Sequence, residues 1–186
     1  MKSNIILASQ SPRRKELLHL AEVQFDVVVA NTDETYPSGL SFTEIAMHIA
    51  KDKAAAVCSL HKQSTIIAAD TIVVCNNTII GKPADSAHAK QILQTLSGNV
   101  HQVITGVSIM HPKNNNLFAE TTTVHFNPLT DTQINYYINK YKPYDKAGAY
   151  AIQEWIGAIG IKKIEGDFYN VMGLPISRVV AVLNSL

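Results

Sequence analysis

The chain has 186 residues, enough for one domain or for two small lobes that share a core. Apolar residues make up 46% of it, as in ordinary globular proteins, and a formal net charge of +1 gives no overall field favouring nucleic acid or an acidic membrane surface. The first apolar run is too short for a signal peptide, and none is long enough to span a bilayer. Because Cys58 and Cys75 fit no metal-binding or C-x-x-C spacing, we expect a reduced, cytoplasmic protein without a membrane partner.

Apolar spacing and capping residues predict a chain that alternates strands with helices. The sequence contains no internal repeat and no linker between separate domains. We therefore expect a single domain over residues 1–186, and this domain could consist of two lobes around a cleft. The first half of the chain predicts a strand at 4–8, a helix from Pro12, a strand at 25–30 and a helix from the capping box at 41–44 to about Leu60. A strand at 65–77 and a helix at 84–98, capped by Asp85 or Ser86, follow. The second half predicts a hairpin of strands at 101–111 and 117–126 around a turn at 112–116, a helix from the capping box at 130–133, a strand at 158–166 and a closing helix at 174–186.

Two arginines open the first predicted helix, where the positive end of the helix dipole repels cations. Ser11 suits the N-cap and Pro12 the first helical position, so Arg13 and Arg14 fall in the first turn. They are either solvated surface charges or ligands of a bound anion, because free amides at a helix start and paired guanidinium groups both bind phosphate. Ser9 and Ser11 would add hydroxyl donors to such a phosphate site.

Asp70 interrupts the apolar run TIIAADTIVV, which predicts a strand buried on both faces. An unpaired carboxylate there is costly. Asp70 is therefore held by backbone amides, kept neutral, or placed where it binds a metal ion or takes a proton from water. The loop at 32–34 adds Asp33 and Glu34, which together with Asp70 would form the all-oxygen site that Mg²⁺ prefers.

Three more polar residues are candidates for contacting a ligand. Lys53, in the second predicted helix, either contacts a ligand or extends along the surface toward water. Lys82 follows a glycine in a turn, a position from which a cation can meet a ligand. Gln153 follows a run of small residues and either reads the edge of a nucleobase or bonds to backbone.

Several familiar motifs are missing from the sequence. It has no P-loop, no dinucleotide-binding glycine pattern, no histidine spacing typical of zinc sites and no serine-hydrolase elbow. The segment YYINKYKPYDK at 136–146 interleaves aromatic and basic residues, which is one way to stack single-stranded nucleic acid. Such a run is more often a helix face with its exit loop, so a nucleic acid partner is the weaker alternative.

Six segments carry a family resemblance when they are taken in chain order. They are LASQSPRRKELL, AADTIVV, IIGKP, LSGNVHQVITGV, DKAGAYAIQ and NVMGLPI. Together they resemble the signature segments of the Maf proteins, also called septum-formation-inhibitor-like proteins, over nearly the whole chain. The combination is specific, although each segment alone would be a weak signal.

The resemblance implies a nucleoside triphosphate pyrophosphatase that releases a nucleoside monophosphate and pyrophosphate. It also implies an elongated α/β fold, with a mixed sheet in an α/β/α arrangement like that of inosine triphosphatases. A divalent cation (Mg²⁺ or Mn²⁺) and a cytoplasmic homodimer are implied as well, and the catalytic base of the family corresponds to Asp70. A nucleotide-binding regulator of cell division, with incidental hydrolysis, is the alternative that the family's name suggests.

One branch of the family hydrolyses dTTP and UTP, and another prefers 7-methyl-GTP. Arg13, Thr71 and Gln153 match the dTTP/UTP branch, so the resemblance implies that they set substrate choice among pyrimidine nucleotides, modified ones included. The chain departs from the family in GAYAIQ, where GAYGIQ is usual. Ala151 would therefore restrict this loop if that position needed a positive φ.

The residues and the resemblance lead to one expected mechanism at the bond between the α- and β-phosphates. Such transfers need charge neutralisation and positioning more than covalent chemistry. Glu34 and Asp70 would hold the divalent cation, and Asp70 would orient or deprotonate the attacking water. The residues expected to bind the triphosphate are Ser9, Arg14, Lys53 and Lys82.

Overall fold

A computed structural model of the protein describes residues 4–186, and residues 1–3 of the predicted domain lie outside the described part. Its strands are Ile5–Leu7 (β1), Asp26–Val27 (β2), Thr65–Cys75 (β3), Thr78–Ile80 (β4), Val100–His111 (β5), Asn114–Phe126 (β6) and Ile161–Glu165 (β7). Its α-helices are Pro12–Leu20 (α1), Phe42–Cys58 (α2), Ser86–Leu96 (α3), Asp131–Tyr141 (α4), Trp155–Gly160 (α5), Phe168–Met172 (α6) and Ile176–Leu183 (α7), with a 3₁₀ turn at Ala147–Ala149. Within residues 4–186, no helix is both long enough and apolar enough to cross a membrane.

The strands form a mixed seven-stranded sheet in the order β2-β1-β3-β5-β6-β7, with β4 paired to β3. β1 pairs in parallel with β2 and with β3, and α1 and α2 lie in the connections that parallel pairing requires. The β3–β4 and β6–β7 pairs are antiparallel, and positive φ values at Asn76 (49°) and Asn77 (58°) make the tight turn between β3 and β4. The α/β class and the mixed sheet expected from the sequence are confirmed.

Three of the predicted helix starts, those of α2, α3 and α4, have the side-chain caps that the sequence indicates. At the start of α2, Ser41 accepts from the amide of Glu44, and the carboxylate of Glu44 accepts from the amide of Ser41 at 2.8 Å. Thr130 and Gln133 form the same reciprocal box at the start of α4, and the carboxylate of Asp85 caps α3. These caps satisfy amides that helices otherwise leave without partners, which is why they mark boundaries so well.

Four local features differ from the sequence prediction. β2 covers Asp26–Val27 instead of 25–30, because it is an edge strand beside β1, which has only three residues. The asparagine run at 114–116 lies in β6 instead of the hairpin turn. The predicted strand at 158–166 begins as α5, and β7 starts at Ile161. α5 and α6 have six and five residues, too few for an apolar period to be recognised, so the sequence pattern missed both.

The chain divides into two compact units, and β3, β5 and β6 each contribute residues to both. Unit 1 contains the chain up to Thr71 together with Thr105–Glu120 and Gly173–Leu186. Unit 2 contains Ile72–Ile104 and Thr121–Met172. The candidate residues named above are therefore distributed over two cores.

In unit 1, the apolar face of α2 packs on β1 and β3. The buried cluster consists of Ile6, Ala8, Ala54, Val57, Ile66 and Ala68. On β5, a Cβ added to Gly106 would lie 2.2 Å from the carbonyl carbon and oxygen of Ala46, so β5 approaches α2 as closely as only glycine allows. This packing fixes α2 against the strand that carries Asp70.

Unit 2 contains a buried aromatic cluster of His101, Phe126 and Tyr150, with ring centroids 5.0 to 5.5 Å apart. The Nε2 atom of His101 lies 2.8 Å from the hydroxyl of Tyr150. Burial, with a smaller contribution from His125, lowers the pKa of His101 to about 4, and burial also raises the pKa of Tyr150. His101 is therefore a neutral core residue near pH 7.

Candidate functional site

An ion-pair cluster in unit 1 joins three of the candidate residues. Asp70 is 8% exposed and lies in β3, where every residue except Thr71 is buried. The Nζ atom of Lys53, on α2, is 2.7 Å from Oδ1 of Asp70 and 2.7 Å from Oε1 of Glu34. Lys53 therefore balances a carboxylate that would be costly to bury alone, and it does not extend along the surface toward water.

Arg14 is tied to the protein by three hydrogen bonds. Its Nε donates to the carbonyl of Gly173 at 2.9 Å, and its two Nη atoms donate to Oγ of Ser9 and Oγ1 of Thr71, both at 3.1 Å. Burial is the main influence on its pKa and lowers it, whereas the carboxylate of Asp70 acts in the opposite direction. Because all three acceptors are uncharged, a nearby anion would stabilise this half-buried cation, and the interpretation of Arg14 as a solvated surface charge is wrong.

The turn before α1 presents further donors beside Arg14. Oγ of Ser9 accepts from the amide of Ser11 at 3.2 Å and from Arg14, which occupies both oxygen lone pairs and leaves the hydroxyl hydrogen to donate. Ser11 occupies the N-cap position, but its side chain makes no capping hydrogen bond. Arg13 is half-buried and takes part in no ion pair within the described part of the chain. A helix start without a side-chain cap, flanked by a serine hydroxyl and two guanidinium groups, can bind an anion.

Thr71 follows Asp70 in β3 and belongs to the same network. Its Oγ1 accepts from Arg14, lies 2.9 Å from Oγ1 of Thr105 on β5, and lies 3.4 Å from the carbonyl oxygen of Gly173. Thr71 thus helps to hold the guanidinium in place, a role that the sequence pattern did not reveal. The conformation of Gly173, with a φ of 114°, presents the carbonyl that Arg14 and Thr71 share.

Unit 2 contains the other two candidates, Lys82 after β4 and Gln153 before α5, and both residues are exposed. Their surroundings include a network that sequence reasoning missed. Glu154 accepts a hydrogen bond from the hydroxyl of the buried Tyr137 and lies 3.6 Å from Nζ of Lys146. A tyrosine at a core position of a helix gives no sequence signal of the partner that its hydroxyl will find.

The loop before Gln153 has its unusual backbone earlier than the sequence suggested. Positive φ values occur at Gly148 (73°) and Ala149 (57°), and Ala151 is not among the positive-φ residues of the described part of the chain. The condition under which Ala151 would restrict the loop is therefore not met. Instead, the amide of Ala151 donates to the hydroxyl of Tyr137 at 3.2 Å.

The carboxylates of Glu34 and Asp70, both beside Lys53, are the groups that could hold a divalent cation. Residues 4–186 contain no group of three or more His, Cys, Asp or Glu side chains that could hold a metal ion. Glu34 and Asp70 nevertheless present carboxylate oxygens to the same ammonium group. Mg²⁺ is typically bound by one or two carboxylates and completes its shell with water and substrate phosphates. Two neighbouring carboxylates match the number of protein ligands that such a Mg²⁺ site requires.

The chain resembles known proteins over almost its full length. The family model described as Maf-like protein matches residues 4–186. A dTTP/UTP pyrophosphatase of Cytophaga hutchinsonii is 50% identical over 184 residues, covering 99% of this chain and 84% of the relative. A dTTP/UTP pyrophosphatase of Phocaeicola vulgatus is 48% identical over 187 residues, covering 100% of this chain and 97% of the relative.

A solved structure supports the fold independently of these relatives. The structure of a HAM1 protein from Coxiella burnetii matches with a TM-score of 0.51 at 16% sequence identity, covering 99% of this chain and 100% of that one. At this identity the likeness concerns the fold alone. The sequence relatives, in contrast, are similar enough to establish ancestry. The match over residues 4–186 and the near-full-length identities therefore show that this chain belongs to the Maf-like protein family.

Proposed function

We propose that this protein hydrolyses dTTP and UTP to the nucleoside monophosphate and pyrophosphate. The observation that carries the proposal is its identity of 48–50%, over 99–100% of its length, to relatives named dTTP/UTP pyrophosphatase. The anion-binding features around Arg14 and the buried carboxylate of Asp70 supply chemistry that suits this reaction. Modified pyrimidine nucleotides belong to the same proposed substrate class.

Asp70 is the proposed base that orients or deprotonates the attacking water. In the ligand-free protein its Oδ1 accepts from Lys53 at 2.7 Å. A bound triphosphate would offer the ammonium of Lys53 additional anionic partners, and drawing Lys53 toward phosphate would free Oδ1 of Asp70 to accept a hydrogen bond from water. Lys53 thus acts in this proposal both as a phosphate ligand and as the hydrogen-bond partner of the buried Asp70 before substrate binds.

Ser9, Arg14 and Lys82 complete the proposed set of triphosphate ligands. Arginine has five N–H donors, and the three that Arg14 directs at protein leave others for phosphate oxygens. The hydroxyl hydrogen of Ser9 is available because its oxygen already accepts two hydrogen bonds. Lys82 is exposed, so it can approach an anion without breaking an ion pair with another residue of the described chain.

Glu34 and Asp70 are the proposed ligands of Mg²⁺ or Mn²⁺. When bound, the cation would neutralise charge on the phosphate oxygens. The fit rests on two carboxylates that already share one cationic partner, Lys53, so the site is suited to positive charge. Equilibrium dialysis with Mn²⁺, in the presence and absence of UTP, tests this assignment, and equal binding by the Glu34→Gln variant would contradict it.

Arg13, Thr71 and Gln153 are the proposed specificity residues. Gln153 is exposed and has both an amide donor and a carbonyl acceptor, which suits it to a pyrimidine edge. A site that hydrogen-bonds its substrate rejects analogues lacking the matching groups strongly. The hydroxyl of Thr71 is already engaged by Arg14 and Thr105, so Thr71 would contribute chiefly by holding Arg14.

Incubation with dTTP, UTP, GTP and modified pyrimidine triphosphates in the presence of Mg²⁺ or Mn²⁺ tests the function. Equimolar pyrophosphate and nucleoside monophosphate, formed preferentially from dTTP and UTP, are the expected products. Orthophosphate with nucleoside diphosphate would contradict cleavage at the α–β bond. Nucleotide binding without any product would favour the cell-division regulator.

We also propose that the protein acts in the cytoplasm as a homodimer. Both statements rest on the family resemblance. Sedimentation analysis at several protein concentrations tests the dimer, and a monomer at all concentrations would contradict it. Fractionation of the native cells, with a periplasmic enzyme as reference, tests the location.

A further inference from the structure

A single buried hydroxyl holds both sides of the loop that carries Gln153. Tyr137 lies on α4 and its side chain is fully buried. Its hydroxyl accepts from the amide of Ala151 at 3.2 Å and donates to Oε2 of Glu154. Gln153 lies between these two attachment points, so its backbone is anchored on both sides to one atom of α4.

The buried ammonium group of Lys146 provides a second attachment for the side chain of Glu154. Nζ of Lys146 lies 3.6 Å from Oε1 of Glu154 and 2.7 Å from Oδ1 of Asp145, and Lys146 is 9% exposed. The carboxylate of Glu154 is thereby engaged at both oxygens, by Tyr137 and by Lys146. We call Tyr137, Lys146, Ala151 and Glu154 the tyrosine brace.

The side chain of Gln153 takes no part in the tyrosine brace. Gln153 is exposed, and no hydrogen bond between its side chain and another described residue accompanies the brace. A side chain that discriminates between bases has to be held within a narrow range of positions, and neighbours with fixed rotamers are what provide that. Fixing the backbone on both sides while sparing the amide group meets this requirement.

We infer that Tyr137 is a positioning residue for base selection and that it acts on Gln153 through the tyrosine brace. This role rests on the proposed function. Tyr137 touches no reacting atom in this inference. Loss of its hydroxyl would release the amide of Ala151 and one oxygen of Glu154 together, widening the positions that Gln153 samples. The consequence would be weaker discrimination between pyrimidine and purine nucleotides, with less effect on the hydrolytic step.

The test compares Tyr137→Phe with wild type by measuring kcat and KM for UTP and for GTP. Removing a hydrogen bond to a charged group should lower the ratio of kcat/KM for UTP over GTP by about tenfold, with the change mainly in KM. In a Gln153→Ala background, Tyr137→Phe should change this selectivity ratio by less than about twofold, because the effects of substitutions at two residues that act through each other do not add. Equal effects in both backgrounds would overturn the inference.

Tyr141→Phe is the matched control, because it removes a phenol hydroxyl from the ring that stacks on Tyr137 at a centroid distance of 5.0 Å. It leaves the brace intact and should leave the selectivity ratio unchanged. A uniform fall in activity on both nucleotides in Tyr137→Phe would indicate a merely structural role and would overturn the inference. If Tyr137→Phe does not fold, Glu154→Gln provides the second variant, with a smaller change in the same direction.

Amide hydrogen exchange separates failure of this inference from failure of the proposed function. The Tyr137→Phe variant should exchange at least about tenfold faster over residues 151–154, and Tyr141→Phe should not. Unchanged exchange in Tyr137→Phe would overturn the positioning role even if the enzyme is active. A wild-type protein that releases no pyrophosphate would overturn the proposed function and the selectivity role, while the exchange result would still decide whether the brace holds the loop.

Discussion

In unit 1, the candidate residues Asp70, Lys53 and Arg14 are bonded to one another or to nearby polar groups and are buried or half-buried. In unit 2, the candidates Lys82 and Gln153 are exposed, and the strong bonds are made by residues beside Gln153. The difference follows from what each group is proposed to do. Asp70, Lys53 and Arg14 gain from being fixed before substrate arrives, whereas the exposed amide of Gln153 and ammonium of Lys82 keep their hydrogen bonds for the ligand.

The largest expected effect comes from the buried carboxylate of Asp70 in unit 1. Asp70→Asn should lower kcat by about 10³-fold, because a general base typically contributes that order of acceleration, and should leave nucleotide binding measurable. Pyrophosphate release and titration calorimetry provide the two measurements. Asp52→Asn, an exposed carboxylate on α2, serves as control. Retention of most activity by Asp70→Asn would remove Asp70 from the mechanism.

A second test asks whether the ion pair of unit 1 is a structural requirement. Lys53→Met leaves the carboxylate of Asp70 buried without its ammonium partner, which should lower the free energy of unfolding by about 3 kcal/mol. The double variant Lys53→Met/Asp70→Asn should recover much of that loss, because the buried charge is then gone. Urea unfolding measures both. Equal stabilities of Lys53→Met and the double variant would contradict this prediction, and the Asp70→Asn variant completes the cycle that measures the coupling.

Acid should affect unit 2 through His101, whose pKa of about 4 lies below its ordinary value of 6.5 because it is buried. Above pH 6.5 the ring is neutral in both the folded and the unfolded protein. As the pH falls, His101 binds a proton in the unfolded chain at a higher pH than it does in the folded protein. The resulting stability should be lost between pH 6.5 and about 4, by roughly 3 kcal/mol at the lower end. His101→Gln should flatten this part of the stability profile, and the exposed His19→Gln should not.

The smallest expected effects come from equivalent caps in the two units. Ser41→Ala in unit 1 and Thr130→Ala in unit 2 each remove a capping box and should each lower the free energy of unfolding by about 1 kcal/mol. Neither should alter the UTP to GTP selectivity ratio, since both caps lie outside the networks around Arg14 and Tyr137. Chemical denaturation and the pyrophosphate assay measure the two properties. A selectivity change in Thr130→Ala alone would mean that α4 as a whole, and not the hydroxyl of Tyr137, sets the position of Gln153.

Much of the fold could be read from local signals. The capping boxes at 41–44 and 130–133 and the buried strand at 65–75 needed only neighbouring residues to be recognised. The five- and six-residue helices α6 and α5 were missed because so short a segment contains less than two helical turns of pattern. β2 was overestimated because the length of an edge strand depends on its partner, which lies elsewhere in the chain.

The sequence alone determined which residue types are unusual where they stand: Arg13 and Arg14 at a helix start and Asp70 inside an apolar strand. Local physics makes such positions unfavourable, so they can be recognised without coordinates. Only the tertiary structure decided which groups bond to Asp70 and Arg14, because packing brings Lys53 to Asp70 over 17 residues and Gly173 to Arg14 over 159 residues. Hydrogen-bond partners at such distances depend on the whole fold, and no local pattern encodes them.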